Sequence, residues 1–167
     1  MKIPLPNFPL QLVILSCALA ASADAAAASN KALAITLSIQ EQPGTMLRCP
    51  FKFGGTITAQ GSSALLGRVV LIATDCITPL GPLYNFSTGR LIITTVNGDQ
   101  VFADYSGQLV PTGDGAKYVF SGATFQITGG NGQYAYATGG GTLSGGEDLV
   151  SGNGQLSMTG KIAYRDK

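Results

Sequence analysis

Residues 127–141 spell ITGGNGQYAYATGGG, in which six glycines and two tyrosines separate two strand-like ends. Within this stretch, residues 130–135 fit the G-x-G-x-x-A form of a dinucleotide-binding fingerprint. Such a fingerprint is followed by a helix, because the helix N-terminus holds the pyrophosphate. Here the three consecutive glycines at 139–141 follow within a few residues and disfavour a helix. The stretch is therefore interpreted as a tight turn between two β-strands.

On both sides of this turn, the chain carries short β-branched and aromatic runs separated by Gly, Pro, Asn and Asp, with no amphipathic helical pattern. Eight strands are predicted, at residues 32–40, 51–59, 67–76, 89–96, 100–110, 117–127, 137–144 and 154–164. Many short, evenly spaced strands in one small chain are typical of a closed barrel or a sandwich. The fold class is therefore all-β.

The dipeptide Asn97-Gly98 predicts a two-residue hairpin turn, since both residues tolerate positive φ in a type I′ turn. The register that follows pairs Arg90 with Tyr105 and makes Asp104 interrupt an apolar face. Both faces of this hairpin are substantially apolar, unlike a sheet with one wetted side. This predicts a barrel whose lumen is filled or lined by a ligand, with a partner covering its outside.

Residues 1–25 are predicted to be a signal peptide, followed by one domain over residues 26–167. Lys2 precedes an apolar run and then small residues that form A-x-A cleavage sites. The apolar run is too short to span a bilayer, so we expect no transmembrane segment in the mature chain. A buried N-terminal helix is the less favoured alternative. We expect a secreted or periplasmic protein, and a lipid anchor at Cys17, suggested by a loose lipobox match, is not favoured.

Cys49 and Cys76 are the two cysteines that remain once the signal peptide is removed. In an oxidising compartment two such thiols usually join, so a disulfide is predicted. A hairpin centred on residues 61–64 would bring the two cysteines together. A redox-active pair is the alternative, but the chain lacks the CxxC spacing typical of one.

The composition excludes several classes of function. The chain has no histidine, so a Ser-His-Asp or Cys-His nucleophile system lacks its base. With two cysteines expected to pair, neither a transition-metal site nor a cofactor is predicted. A calcium β-roll would need tandem copies and an aspartate where Gln133 stands. The 10 basic and 9 acidic side chains nearly balance, so no nucleic-acid partner is expected.

The segment at 125–139, FQITGGNGQYAYATG, resembles the strand-loop-strand signature T-G-G-[ST]-G-x-[FY]-x-x-A-x-G of the allene oxide cyclase and dirigent superfamily. The likeness takes in further stretches at 97–99, 102–107 and 156–162, and it favours the bacterial secreted, allene-oxide-cyclase-barrel-like branch. It implies a single eight-stranded antiparallel β-barrel over residues 26–167 that forms a homodimer or homotrimer. Gln133 departs from the signature, where an arginine or another long residue is usual.

Within this resemblance the glycine-rich turn has a physical role. Gly129, Gly130 and Gly132 would adopt positive φ values that bulky residues avoid. Tyr134 or Tyr136 would then fold in and cover one end of the barrel.

The cyclases and dirigents of this superfamily line an apolar lumen with a few carboxylates, an arginine and tyrosines. The resemblance therefore implies that residues of these types form the site in this chain. The candidate catalytic residues are Asp104 and Arg90. The candidate ligand-binding residues are Tyr105, Tyr84, Tyr136 and Phe102. Further candidates are Asp75 and Glu147. The structural alternatives are a cross-strand pair of Arg90 with Tyr105, and a solvated hairpin loop at Glu147.

The favoured function is a non-catalytic module that binds a small apolar ligand in the lumen or a protein partner on its outside. One alternative is a cofactor-free cyclase or stereo-directing protein that acts on a small apolar intermediate. The other alternative is a structural envelope protein, which the low charge density favours. An open lumen with a buried carboxylate would favour binding or catalysis, whereas a lumen packed solid would favour the structural class.

Overall fold

The computed structural model describes residues 29–165, so the predicted signal peptide and Cys17 lie outside the described residues. Eight antiparallel strands form one closed barrel, in which each strand pairs with the next and the last pairs with the first. The strands are β1 (Ser29–Thr45), β2 (Phe53–Ser63), β3 (Gly67–Leu80), β4 (Leu83–Thr95), β5 (Gln100–Pro111), β6 (Lys117–Gly130), β7 (Thr138–Asp148) and β8 (Asn153–Tyr164). The predicted eight-stranded antiparallel barrel is therefore confirmed. Across residues 29–165, no helix has the length and apolar character needed to cross a membrane.

The barrel forms because side chains alternate between its two faces, which gives a buried lumen face and an exposed outer face. In β1 the buried apolar residues are Leu33, Ile35, Leu37 and Ile39. In β3 and β4 they include Leu71, Ala73, Leu91 and Ile93. These rows meet inside the barrel and form one hydrophobic core.

The turn between β4 and β5 is longer than predicted. The amide of Gly98 donates a hydrogen bond to the carbonyl of Thr95 at 3.0 Å. The amide of Thr95 in turn donates to the carbonyl of Asp99 at 3.0 Å. Thr95 and Asp99 therefore close a loop of three residues, 96–98, rather than the two residues of a type I′ turn.

This longer turn changes which faces of β4 and β5 lie together. Arg90 pairs with Asp104, and Tyr105 pairs with Gly89, one position away from the predicted register. Because side chains alternate with period two, a slip of one residue exchanges the faces of a strand. Tyr105 consequently lies in the lumen, and Asp104 is exposed on the outside. The predicted lumen position of Asp104 is wrong.

The turn between β2 and β3 is also displaced from its predicted centre. It spans residues 64–66, since Ser63 pairs with Gly67. The Ser63 hydroxyl accepts hydrogen bonds from the amides of Leu65 and Leu66 at 3.2 and 3.3 Å. This side-chain bonding of a serine to the next backbone amides fixes the turn.

The predicted disulfide between Cys49 and Cys76 is confirmed, with the two Cα atoms 5.2 Å apart. Its geometric basis differs from the prediction, since the residue of β2 that pairs with Cys76 is Gly54. Cys49 instead reaches Cys76 from residues 46–52, which we call the disulfide loop. The disulfide thus ties this loop to β3.

Residues 131–137 join β6 to β7 through one 3₁₀ turn, and together with the last two residues of β6 (Gly129 and Gly130) they form what we call the glycine turn. Gly129 and Gly132 adopt φ values of +147° and +57°, as predicted. Gly130 does not adopt a positive φ. It is required for close approach, because a Cβ there would lie 2.7 Å from the carbonyl oxygen of Tyr134.

The glycine turn covers one end of the barrel, which we call the closed end. Tyr134 is 1 % exposed and packs edge-on against Tyr164, with ring centroids 4.9 Å apart. Tyr136 is 82 % exposed. Asn131 fastens the turn to β5, accepting from the Gln100 amide at 2.7 Å and donating to the Gln100 side chain at 2.8 Å. Of the two tyrosines considered, Tyr134 is the one that covers the end.

β7 and β8 approach closely where Gly141 pairs with Gly160. A Cβ at Gly141 would overlap the carbonyl oxygen of Thr159 and lie 2.6 Å from the Cα of Gly160. Because the backbone would have to shift, we expect Gly141→Ala to lower the free energy of unfolding by about 1–3 kcal/mol. Gly44→Ala is the control, since a Cβ there meets nothing within 4 Å. Urea denaturation followed by circular dichroism measures both, and equal losses would contradict the prediction.

Candidate functional site

Three acidic side chains meet in the lumen, toward the end opposite the closed end. Glu41 of β1, Asp75 of β3 and Glu147 of β7 are 8 %, 3 % and 5 % exposed. Each lies an even number of residues from a buried apolar side chain of its own strand, so alternation turns all three inward. We call these three residues the acid cluster and this end of the barrel the mouth.

Asp75 is held by two hydrogen bonds. Its Oδ2 accepts from the hydroxyl of Tyr105 at 2.9 Å, and its Oδ1 accepts from the amide of Gly55 at 3.2 Å. Burial, and then the charge of Glu41, raise the pKa of Asp75 to about 6, against the lowering effect of these bonds and of Arg48. Burial and the charge of Asp75 raise the pKa of Tyr105. Tyr105 is therefore a neutral donor to Asp75.

Glu41 and Glu147 are less well compensated. Burial, and then the charge of Glu147, raise the pKa of Glu41 to about 9. Burial also raises the pKa of Glu147. Among residues 29–165, neither buried carboxylate oxygen of Glu147 has a hydrogen-bond partner. These oxygens can be satisfied by a proton shared with Glu41 or by a group bound from outside.

Two glycines leave the space that the acid cluster and Tyr105 occupy. A Cβ at Gly55 would overlap Oε1 of Glu41 and lie 3.3 Å from Oδ1 of Asp75. A Cβ at Gly89 would lie 2.6 Å from the ring of Tyr105. The acid cluster and Tyr105 therefore fit inside the barrel because the residues that face them, Gly55 and Gly89, have no side chain.

Two neighbouring cavities surround the acid cluster. The inner cavity has a volume of about 30 Å³, room for roughly one or two water molecules. The outer cavity opens at the mouth and has a volume of about 200 Å³. Residues that line both cavities are Glu41, Glu147, Ile77 and Leu109. The outer cavity is further lined by Pro43, Phe53, Tyr84, Leu149 and Gly152. The barrel is thus packed nearly solid inside and open at the mouth.

Arg48, in the disulfide loop, lies outside the barrel wall. Its guanidinium donates to the carbonyl of Thr88 at 3.2 Å and to the hydroxyl of Thr74 at 3.1 Å. Arg48 lines an outer cleft together with Arg90 and Asp104. It lowers the pKa of the nearby Asp75 carboxyl but lines neither lumen cavity.

Four residues nominated from the sequence face the lumen cavities. Tyr105 and Tyr84, predicted ligand contacts, line the inner and the outer cavity respectively. Asp75 and Glu147 belong to the acid cluster. The alternative that placed Glu147 in a solvated loop is wrong, because β7 continues to Asp148 and buries Glu147.

The other nominated residues lie away from the lumen. Arg90 and Asp104, the predicted catalytic pair, are exposed on the outer face, where they pair across β4 and β5. Phe102 is half-buried on the same outer face. Tyr136, a predicted ligand contact, is exposed beside the closed end. The structure does not bring these four residues to the acid cluster.

Glu41 is the site residue that the sequence prediction missed. The predicted first strand ended at residue 40, whereas β1 continues to Thr45. Glu41 takes the next inward position after Ile39. An acidic residue that continues an alternating apolar row was the available signal.

Stability is expected to fall as the pH rises from about 5 to 9. The pKa values of Asp75 and Glu41 are about 6 and 9 in the folded barrel, against 3.8 and 4.5 ordinarily, so the folded state binds more protons in this range. For each extra proton that the folded state binds, the free energy of unfolding falls by on the order of 1 kcal/mol per unit rise in pH. Glu41→Gln should flatten the dependence between pH 7 and 9. Thermal unfolding across this pH range measures both proteins, and an unchanged slope in the variant would contradict the prediction.

The acid cluster is not arranged as a metal centre. Within residues 29–165, no group of three or more His, Cys, Asp or Glu side chains could hold a metal ion. The chemistry available to the acid cluster is therefore holding protons and accepting hydrogen bonds.

The comparisons with known proteins add no family or function to this description. Protein-family models, curated proteins and solved structures all give no match to the chain. The acid cluster, its cavities and the mouth are therefore the features that bear on function.

Proposed function

We propose that the protein binds a small, largely apolar molecule at the mouth of the barrel, against the acid cluster. The observation that carries this proposal is the buried carboxyl of Glu147, which lines the outer cavity and has no donor among the described residues other than a proton shared with Glu41. Buried polar groups in native proteins nearly always have a partner. An unsatisfied group beside an open cavity therefore favours a bound molecule.

The lining of the outer cavity supports this proposal. Apolar side chains, among them Phe53, Tyr84 and Leu149, surround the acidic groups. Apolar walls with a few convergent polar groups are typical of small-molecule sites. At about 200 Å³ the cavity lies below the roughly 300–1,000 Å³ of most such sites, which favours a small ligand. The nearly solid inner lumen agrees with a structural role for that part, but the open mouth favours binding.

We also propose a superfamily and a cellular location for the protein. We place the protein in the allene oxide cyclase and dirigent superfamily and outside the cytoplasm. The closed eight-stranded barrel supports the first placement. The disulfide supports the second, because disulfides persist in oxidising compartments.

A second candidate function is cofactor-free acid–base catalysis on the bound molecule, as in a cyclase or stereo-directing protein. The observation that favours it is the hydrogen bond of 2.9 Å between Tyr105 and Asp75. Burial brings the pKa of Asp75 to about 6, and a general base works best when its pKa lies near the working pH. In this mechanism Asp75 accepts a proton from the ligand, and protonated Glu41 donates one.

The binding proposal is tested by filling the mouth. Ile77 lines both cavities, whereas Ile72 lies on the outer face of the same strand and is 58 % exposed. Ile77→Trp is expected to weaken the binding of benzyl alcohol, a small neutral probe, by about tenfold or more, since the indole occupies the probe's volume. Ile72→Trp should leave binding unchanged. NMR titration of amide shifts measures both, and equal affinity in the two variants would contradict the proposal.

A further inference from the structure

We propose that the molecule bound at the mouth is a small organic cation, a protonated amine carried on an apolar body. This inference rests on the proposed binding function and names the class of ligand that the acid cluster selects.

Tyr84, with its hydroxyl, lines the outer cavity, but most polar side-chain atoms that face the two cavities are carboxyl oxygens. They belong to the carboxyl groups of Glu41, Asp75 and Glu147, while the hydroxyl proton of Tyr105 is donated to Asp75. A ligand carboxylate or phosphate would bring a negative charge beside three buried acids, where the side-chain donors are the hydroxyl of Tyr84 and the proton of Glu41, which lies beside Glu147. The lining therefore favours a ligand polar group that donates.

Glu147 supplies the point of attachment. It is more than nine-tenths buried, lines both cavities, and has no donor among the described residues other than a proton shared with Glu41. An ammonium group offers three N–H donors and a positive charge, whereas an alcohol offers one neutral O–H donor. Charge-assisted hydrogen bonds are roughly twice as strong as neutral ones. The ammonium therefore satisfies Glu147 better than the alcohol does.

Within the described part of the chain, no basic side chain competes for this position. None of the residues lining either lumen cavity is Lys or Arg. Arg48, which acts on Asp75 from outside the wall, directs its guanidinium to Thr88 and Thr74. Any negative charge that Asp75 or Glu147 carries is thus left for a ligand to compensate.

The walls of the outer cavity suit the apolar body of such a ligand. Phe53 and Tyr84 present aromatic rings beside the acid cluster, and aromatic faces attract cations as well as apolar groups. A volume of about 200 Å³ limits the body to about one ring or a short alkyl chain. A bare metal ion would leave these walls unused, and the acids are not arranged to hold one.

The test compares three probes of one shape and different charge: benzylammonium, benzyl alcohol and benzoate. We expect benzylammonium to bind the protein about tenfold or more tightly than benzyl alcohol, with no binding of benzoate. Glu147→Gln should bring the affinity for benzylammonium to within a few-fold of that for the alcohol. Calorimetric and NMR titrations at pH 7 measure these affinities, and far-UV circular dichroism checks that the variant is folded. Glu41→Gln serves as the second variant if Glu147→Gln does not fold.

The outcomes separate this inference from the function on which it rests. Equal binding of benzylammonium and benzyl alcohol would overturn the cation proposal and leave the binding function intact. Displacement of benzylammonium by calcium ions at equal concentration would overturn it in favour of a metal ligand. Failure of all three probes, with Ile77→Trp indistinguishable from the unaltered protein, would overturn the binding function itself.

Discussion

Tyr134→Ala is expected to lower the free energy of unfolding by about 3–5 kcal/mol, the usual range for deleting a buried aromatic side chain. Tyr134 is almost fully buried at the closed end and packs edge-on against Tyr164. Removing the Tyr134 side chain would leave a cavity between the ring of Tyr164 and the core. In a chain of this length the loss corresponds to a fall of roughly 6–20 °C in the melting temperature.

The same turn offers the matched control for this prediction. Tyr136 lies two residues along the chain and is almost fully exposed, so Tyr136→Ala should change stability by less than about 0.5 kcal/mol. Equilibrium denaturation in urea, followed by circular dichroism, measures both variants against the unaltered protein. Similar losses in the two would show that Tyr134 does not close the barrel in solution.

Removing the disulfide is expected to destabilise the barrel by roughly 3–4 kcal/mol. Cys49 and Cys76 are separated by 27 residues, and a loop of this size loses substantial chain entropy when it is closed in the unfolded state. The double variant Cys49→Ala with Cys76→Ala tests this by urea denaturation. Dithiothreitol should destabilise the unaltered protein by a similar amount and leave the double variant unaffected. A reductant effect of the same size in both would contradict the prediction.

The same variant has a second expected effect, on the acid cluster. Arg48 neighbours Cys49 in the disulfide loop and lowers the pKa of Asp75. Once the loop is released, this lowering weakens, so the pKa of Asp75 should rise above its present value of about 6. The pH at which stability begins to depend on Asp75 would shift upward accordingly.

The number, order and type of the strands could be predicted from the sequence because alternation and turn residues are local signals. The disulfide was predicted for a different reason: after the expected signal peptide, two cysteines remain. The register between strands was not predictable in the same way. Asn97-Gly98 favours a two-residue turn, but the Thr95 bonds to Gly98 and Asp99 close a longer loop.

That single residue of register separates Arg90 from Tyr105, which were predicted to pair on one face. Arg90 instead pairs with Asp104 on the outer face, and Tyr105 lies inside, beside Asp75. Within each strand the alternation was predicted correctly. A pattern of period two indicates which residues share a face, whereas the contacts between strands decide which face is buried.

The acid cluster itself depends on contacts between distant strands. Glu41, Asp75 and Glu147 come from β1, β3 and β7 and meet only because the sheet closes on itself. The spacing of these three residues along the sequence does not predict that their side chains lie together. The local signal was an acidic residue at an inward position, and it was available for each of the three.

The pairing of β1 with β8 also has a consequence for how the molecule is made. Ser29 lies opposite Tyr164, so the seam of the barrel joins segments from the two ends of the described chain. Contacts this far apart in sequence form slowly, because a long stretch of chain must be ordered before they are gained. Until β8 arrives, the unpaired edges of β1 and β7 remain open to strands of other molecules. Because β8 is synthesised after the other seven strands of the barrel, β1 is protected from aggregation only when β8 has formed.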